Sequence, residues 1–305
     1  MCGGMKVPPL LLPGSRVALV APAGPLRDEG DLQLACDNAR AMGWEPVVGD
    51  HVLERSGYLA GSDENRLADL NRFAADRSID GVWCIRGGYG AMRILDRVDY
   101  SSWFRRPKAL IGYSDITALH CGLNTRADLV SYHGPTARGH LTEFSRASLR
   151  AAVVDGSESC GAAPNAITLC SGRTRGRLIG GNLALLTALC GTRYTPSYAG
   201  AILVIEDVNE SLYRIDRMLT QLRLSGALHL VAGIVFGQFT EIPVETGNDA
   251  PEGRTLIDLL REFAQRHTVP CLANIPFGHI ADQWTVPFGS IAELDADSKT
   301  LSVRR

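Results

Sequence analysis

The 305-residue chain has no Cys-x-x-Cys pair and no paired cysteine and histidine spacing, which argues against structural zinc. Its eight cysteines (Cys2, Cys36, Cys84, Cys121, Cys160, Cys170, Cys190 and Cys271) are scattered and read as reduced thiols of a reducing compartment. No window reaches the roughly 18 consecutive apolar residues of a membrane-spanning helix. The start Met1-Cys2-Gly3-Gly4-Met5-Lys6-Val7-Pro8-Pro9 leads into no signal-peptide core, because Leu10-Leu11-Leu12 is short and closed by Pro13. A cytoplasmic protein is expected, with Met5 as an alternative start. Charge of one sign is lacking too: a formal net charge of −2 offers no broad surface for nucleic acid or anionic membrane, and neither partner is expected. Internal repeats and low-complexity segments are absent.

What is present is an ordinary globular composition, 45% apolar and 21% charged, over a length that favours two domains. The first half alternates strands and helices. Arg16 to Val20 predicts a buried strand ending in the turn cluster Ala21-Pro22-Ala23-Gly24-Pro25, and a helix follows over about Asp28 to Met42. Glu45 to Val48 predicts a strand, and Asp63 to Ala75 a helix capped by Ser62. Asp80 to Ile85 is the next strand, and Arg86-Gly87-Gly88-Tyr89-Gly90 follows it. Such units, with strands that do not alternate in polarity, predict a parallel sheet covered on both faces. Ligands of these sheets gather at the carboxyl ends of the strands, where Gly87 and Ser114 fall.

Gly, Ser, Ala and Pro gather over about Asp155 to Asn165, which reads as a linker. The expected division is residues 1–155, a linker at 156–168, and 169–305. The last part predicts strands at Ala201 to Glu206, Val231 to Phe236 and Val269 to Ile275. Helices are expected at Leu183 to Leu189, Leu212 to Leu224 and Thr255 to Gln265, with a closing hairpin of Glu293-Leu294 and Thr300 to Val303. The expected fold class is therefore α/β, an N-terminal parallel-sheet domain joined to a smaller C-terminal α+β domain.

In Lys108 to His120 an apolar strand runs into Gly112-Tyr113-Ser114 and then directly into a helical pattern, as in a nucleophile elbow. Such a turn exposes the serine hydroxyl beside free helix N–H groups that can receive an oxyanion. The fifth position is Ile116 instead of glycine, and a serine at such a turn also serves as a helix cap, so both readings stand on the motif alone. A nucleophilic serine needs a base and a carboxylate to orient it. His120 should point away from the elbow, and His229 and His267 read as surface or capping residues. His133, read as lying in a turn, and His279 remain candidate bases. Glu206 follows five apolar residues, so it should emerge at a strand end, either as a buried acid bonded to backbone or as a catalytic one. Asp207 or Asn209 is the expected cap of the next helix. The glycine loop at Gly87 to Gly90 lacks the lysine and register of a nucleotide-binding loop and serves equally to bring N–H groups to a substrate oxygen.

Ile85 to Gly90, Ile111 to Thr117, His133-Gly134-Pro135, Gly180-Gly181-Asn182-Leu183, Ile205 to Glu210 and Gly278-His279 together resemble the LD-carboxypeptidases of the S66 serine peptidase family, in family order and over most of the chain. That family also contains microcin C immunity peptidases; the Glu206 to Met218 run resembles its murein tetrapeptide branch. The resemblance implies a triad of Ser114, Glu206 and His279, in a cleft between an N-terminal domain holding the serine and a C-terminal domain holding the other two. It implies a homodimer that needs no metal or cofactor. The implied reaction removes the terminal D-alanine of L-alanyl-γ-D-glutamyl-meso-diaminopimelyl-D-alanine, a murein peptide, in cell-wall recycling. Backbone N–H groups of Asp115 and Gly88, or of Gly87 in its place, would hold the oxyanion. Arg86 is a candidate for the D-alanine carboxylate or for an internal salt bridge, Tyr89 for lining the site, and Asn182 for binding peptide carbonyls or capping a helix. The alternatives are an immunity peptidase acting on a peptide–nucleotide antibiotic and a non-catalytic α/β ligand-binding protein.

Overall fold

A computed structural model describes residues 4–243 and 253–304, so Cys2 lies outside the described residues. In the first half the order is β1 (Arg16–Val20), α1 (Glu29–Ala41), β2 (Glu45–Val48), α2 (Asp63–Ala75), β3 (Gly81–Cys84), α3 (Ala91–Ile94), α4 (Tyr100–Arg105), β4 (Ala109–Gly112), α5 (Thr117–Arg126) and β5 (Ser131–His133). Helices start where their caps dictate. The Asp28 side chain accepts from the Asp31 N–H at the head of α1, and Ser62 from Asn65 at the head of α2. The five strands are parallel in the order β2-β1-β3-β4-β5, with a sixth, antiparallel strand beyond β5. The strand order reverses between β1 and β3, which opens a crevice at their carboxyl ends.

The second half runs α6 (Glu143–Arg150), β6 (Gly161–Ala162), β7 (Ile167–Cys170), β8 (Arg173–Asn182), α7 (Leu183–Leu189), β9 (Ala201–Val208), α8 (Leu212–Leu224), β10 (Gly233–Thr240), α9 (Leu256–His267), β11 (Cys271–Ala273), β12 (Val286–Phe288), β13 (Ile291–Asp295) and β14 (Thr300–Arg304). Its eight-stranded sheet is mixed: β8, β9, β10 and β11 are mutually parallel at the centre, and antiparallel strands flank them. The expected closing hairpin is β13 and β14, with Glu293 opposite Ser302. Within 156–168 lie β6 and the first residues of β7.

Strand β12 comes from the C-terminal half yet completes the first sheet, Val286 pairing with His133. That pairing corrects one expectation: His133 stands in a buried strand and not in a turn. The segment is only three residues long and runs into Gly134-Pro135; it exists because β4 on one side and β12 on the other satisfy its backbone.

Alternate residues of the first sheet enter different cores. Val17, Leu19, Trp83, Ile85 and Ile111 face one cluster, which covers α1 and α6. Ala18, Val20, Val82, Cys84 and Leu110 face another, which continues through α5 and α7 into Leu203, Ile205, Ile234 and Phe236 of the second sheet. Leu183, Leu186 and Leu189 of α7 are each at most 1% exposed, and burying such a side chain contributes about 1.5–3 kcal/mol. One continuous core therefore fixes the two sheets against each other. The Asn182 N–H also donates to Thr117 Oγ1 at 3.0 Å, joining β8 to the first turn of α5.

Candidate active site

Strand β4 ends in Gly112, and Tyr113 remains extended, but Ser114 adopts φ 66° before the chain enters a single 3-10 turn and then α5. A non-glycine residue in the left-handed region is strained, and here the strain turns a strand into a helix within three residues. His120, buried on α5, braces the turn from beneath, with Nε2 at 2.8 Å from the Gly112 carbonyl and Nδ1 at 2.9 Å from Ser131 Oγ. The expectation that His120 points away from the serine agrees with this position.

The glycine loop lies directly against the elbow. A Cβ on Gly87 would stand 2.8 Å from Ser114 Cβ, so only glycine allows this approach. The Gly87 carbonyl accepts from the Gly24 N–H at 3.0 Å. In a trans peptide the Gly88 N–H points opposite to that carbonyl, away from Gly24, and it donates to no group among the described residues. The Asp115 side chain holds the far end of the loop: Oδ2 accepts from Ala91 N at 2.7 Å. Burial pushes the Asp115 carboxyl up to about 6, against the Ala91 and Gly90 N–H groups and the Arg66 charge, which favour its ionised form.

Glu206 sits near the carboxyl end of β9, in register with Asn182 of β8, and is fully buried. His279 follows Gly278, whose φ is 117° and whose missing Cβ would otherwise meet Glu206 Cβ at 2.8 Å. The close approach brings His279 Nδ1 to 2.7 Å from Glu206 Oε2, while Oε1 has no partner among the described residues. Burial works to lower the imidazole pKa, but the hydrogen bond and charge of Glu206, with Asp207 and Glu241 behind them, outweigh it and the pKa is raised. The His279 ring is 4.9 Å from the ring of Tyr113, the residue before Ser114. Among the described residues the Ser114 hydroxyl and His279 make no hydrogen bond; such bonds are often long without substrate. Nδ1 is engaged by a carboxylate, which leaves Nε2 as the free ring nitrogen.

His133 stacks on Phe277 at 4.3 Å between ring centres and lies 6.0 Å from the Tyr113 ring, deeper than His279. It is fully buried, and burial drives its pKa well below the ordinary histidine range. Arg86 Nη1 donates to the Pro25 carbonyl at 2.6 Å, and Tyr89 is exposed, edge-on to Tyr58 at 5.4 Å. Asn182 caps α7: its Oδ1 accepts from Leu185 N at 3.3 Å and its Nδ2 donates to Asp207 Oδ1 at 2.7 Å.

Asp207 does not cap α8, and neither does Asn209; Ser211 is the N-cap residue there, without a side-chain bond. Instead Asp207 accepts from Ala184 N at 3.0 Å and from Asn182, holding the start of α7 beside Glu206. Sequence distance hid this role, as it hid that of Thr117. The available signal is a carboxylate inside the buried strand β9, and the sequence alone points it to the nearer helix.

Comparison with known proteins matches the chain to one family. Residues 17–134 fit the family described as LD-carboxypeptidase N-terminal domain, and residues 175–294 the LD-carboxypeptidase C-terminal domain. A relative from Streptomyces coelicolor is 42% identical over 98% of this chain and 96% of its own. The chain belongs to the LD-carboxypeptidase family. The murein tetrapeptide carboxypeptidase of Pseudomonas aeruginosa is 33% identical to this LD-carboxypeptidase family member, over 92% of this chain and 94% of that protein. The crystal structure of muramoyltetrapeptide carboxypeptidase from Oxalobacter formigenes superposes with TM-score 0.85 at 29% identity, covering 95% of this chain and 99% of that one. The microcin C7 self immunity protein shares the fold, with TM-score 0.87 at 22% identity over 98% of both chains. Among the described residues no helix is long and apolar enough to cross a membrane.

Proposed function

We propose that this protein is a serine LD-carboxypeptidase that removes the terminal D-alanine from a murein tetrapeptide, with Ser114 as nucleophile, His279 as base and Glu206 as its orienting carboxylate. The observation that carries the reading is the buried Glu206 Oε2 to His279 Nδ1 hydrogen bond of 2.7 Å beside a serine held at φ 66°. His279 Nε2 takes the Ser114 proton as the hydroxyl attacks the diaminopimelyl carbonyl, and Glu206 stabilises the imidazolium. The N–H groups of Asp115 and Gly88 receive the oxyanion, each donor worth about 3 kcal/mol in the transition state. As the tetrahedral intermediate collapses, the C–N bond breaks and His279 gives its proton to the departing D-alanine amine. Water, deprotonated by the same imidazole, then hydrolyses the acyl-enzyme and returns the proton to Ser114.

In this reading Ser114 belongs to a domain of residues 1–155, and Glu206 and His279 to one of residues 169–305, so catalysis depends on the cleft between them. Arg86 holds the glycine loop, Tyr89 lines the outer site, and Asn182 keeps the head of α7 against Glu206. The working form is a cytoplasmic homodimer; light scattering of the purified chain checks the assembly. The shared fold of the microcin C7 self immunity protein motivates a second substrate arm, an aminoacyl nucleotide. Purified protein should release D-alanine from the tetrapeptide at least about 100-fold faster than it cleaves such a nucleotide, and Ser114→Ala should lower the rate by about 10⁴-fold or more. D-alanine release that survives Ser114→Ala would refute the assignment.

A further inference from the structure

Four guanidinium groups gather where the first sheet reverses its strand order. Arg27 follows β1, Arg86 follows β3, Arg55 Nη2 donates to the Leu26 carbonyl at 2.8 Å, and the Arg138 N–H donates to the Ile85 carbonyl at 3.2 Å. Asp31 is the carboxylate inside the group, taking Arg27 Nη2 at 2.6 Å and Arg138 Nη1 at 2.9 Å, with Asp28 beside Arg27. Arginine charge exceeds carboxylate charge in the crevice where such sheets bind ligands, so an anionic group is favoured there.

The four are not equivalent. Arg86 is committed to the loop: Nη1 is on Pro25, Nε is buried without a partner among the described residues, and its guanidinium would stand 3.3 Å from a Cβ placed on either Gly24 or Gly88. Burial and the charges of Arg138, Arg27 and Arg55 lower its pKa, against Asp31. Arg138 differs. Its side chain is 24% exposed, Asp31 engages one nitrogen, and the other two nitrogens of the guanidinium have no protein partner among the described residues. Asp31 is itself buried and held by Arg27, so it anchors Arg138 from behind and leaves the outer edge of the fork presented. The charge of Arg138 also reaches the phenol of Tyr113, which burial and Glu206 push up and Arg138 holds down. Tyr113 precedes Ser114 and its ring meets the His279 ring at 4.9 Å, and the Arg138 N–H bond to Ile85 places Arg138 beside the strand end that leads into the glycine loop against Ser114.

We infer that Arg138, aimed by Asp31, is the specificity-determining residue that receives the free α-carboxylate of the departing amino acid. The inference rests on the carboxypeptidase reading above. A planar fork pairs bidentately with a carboxylate, and a site built for that pair rejects an uncharged substitute strongly. Arg138 thereby restricts cleavage to the last residue of a peptide.

The test compares the tetrapeptide with its C-terminal carboxamide, in the wild type, Arg138→Gln and Arg138→Lys. The wild type should favour the free acid by roughly 100-fold in kcat/KM. Arg138→Gln should reduce that preference to a few-fold, chiefly through a higher KM for the acid. Arg138→Lys keeps the pair with Asp31 but loses the fork, and should retain an intermediate preference. Thermal unfolding reports whether each variant is folded; the lysine variant carries the test if the glutamine variant is not. A folded variant that keeps the wild-type preference overturns the role of Arg138 while the carboxypeptidase reading stands. A wild type that cleaves neither peptide refutes the carboxypeptidase reading and takes the assignment of Arg138 with it.

Discussion

Replacing Gly87 by alanine isolates the contact between the glycine loop and the elbow. Gly87 has no left-handed φ, so alanine meets no backbone penalty, and its whole effect comes from the space its Cβ would occupy. That carbon would lie 2.8 Å from Ser114 Cβ, 3.1 Å from Ser114 Oγ and 3.1 Å from the Tyr113 carbonyl oxygen. Carbon atoms prefer a separation of about 3.5–4.0 Å, so one side must retreat by at least about 0.7 Å. If the serine moves, its hydroxyl is displaced relative to His279. If the loop moves, it pulls on the Gly24 N–H bond to Gly87 at 3.0 Å and on the Ala91 bond to Asp115 at 2.7 Å, and it carries the Gly88 N–H out of position. A displacement near 1 Å at a reacting centre lowers rate by about 100-fold, so Gly87→Ala should lose roughly 10–100-fold in kcat for D-alanine release. Overpacking should cost about 1–3 kcal/mol of stability, visible in urea unfolding of the same sample. A variant whose kcat stays within about twofold of wild type would refute the account of loop and serine as one rigid unit.

Glu206→Gln removes the charge that raises the His279 pKa and should lower kcat by roughly 10³–10⁴-fold. The base acts only when neutral, so kcat/KM falls as pH drops through that pKa; in the variant this acid limb should move to lower pH, and an unmoved limb would contradict the pairing. Asp115 titrates at about 6 in the folded protein against 3.8 for a free carboxyl, so it binds its proton more tightly when folded. Its contribution is fully present below about 3.8 and is lost as pH rises to about 6, a difference of about 3 kcal/mol. Asp207, also raised to about 6, acts in the same direction in both proteins. Urea unfolding at several pH values should therefore show a shallower decline for Asp115→Asn than for the wild type, and equal slopes would count against the buried carboxyl.

Much of the fold was legible because its signals are local. Val17 to Val20, Val82 to Cys84 and Leu110 to Ile111 are apolar runs closed by turn residues, and Ser62 is the expected cap of α2. Strand β5 was not legible. Ser131 to His133 is three residues long and closed by Gly134-Pro135, and it forms a strand because β12, 153 residues later, supplies partners. Asp207 shows the same limit, since its partners Asn182 and Ala184 lie in another element.

The sequence by itself determined the strained turn at Ser114, the glycines that let a loop approach it, and the placement of Glu206 at a strand end, because each depends on φ, ψ and burial within a few residues. Only the tertiary structure decided that His279 pairs with Glu206 at 2.7 Å, that His133 lies beneath the site on Phe277, and that Arg138 stands with a free guanidinium edge where Arg86 is committed to the loop. The physical reason is common to all three. A continuous apolar core through α5 and α7 sets the two sheets in one relative position, and no residue records that position locally.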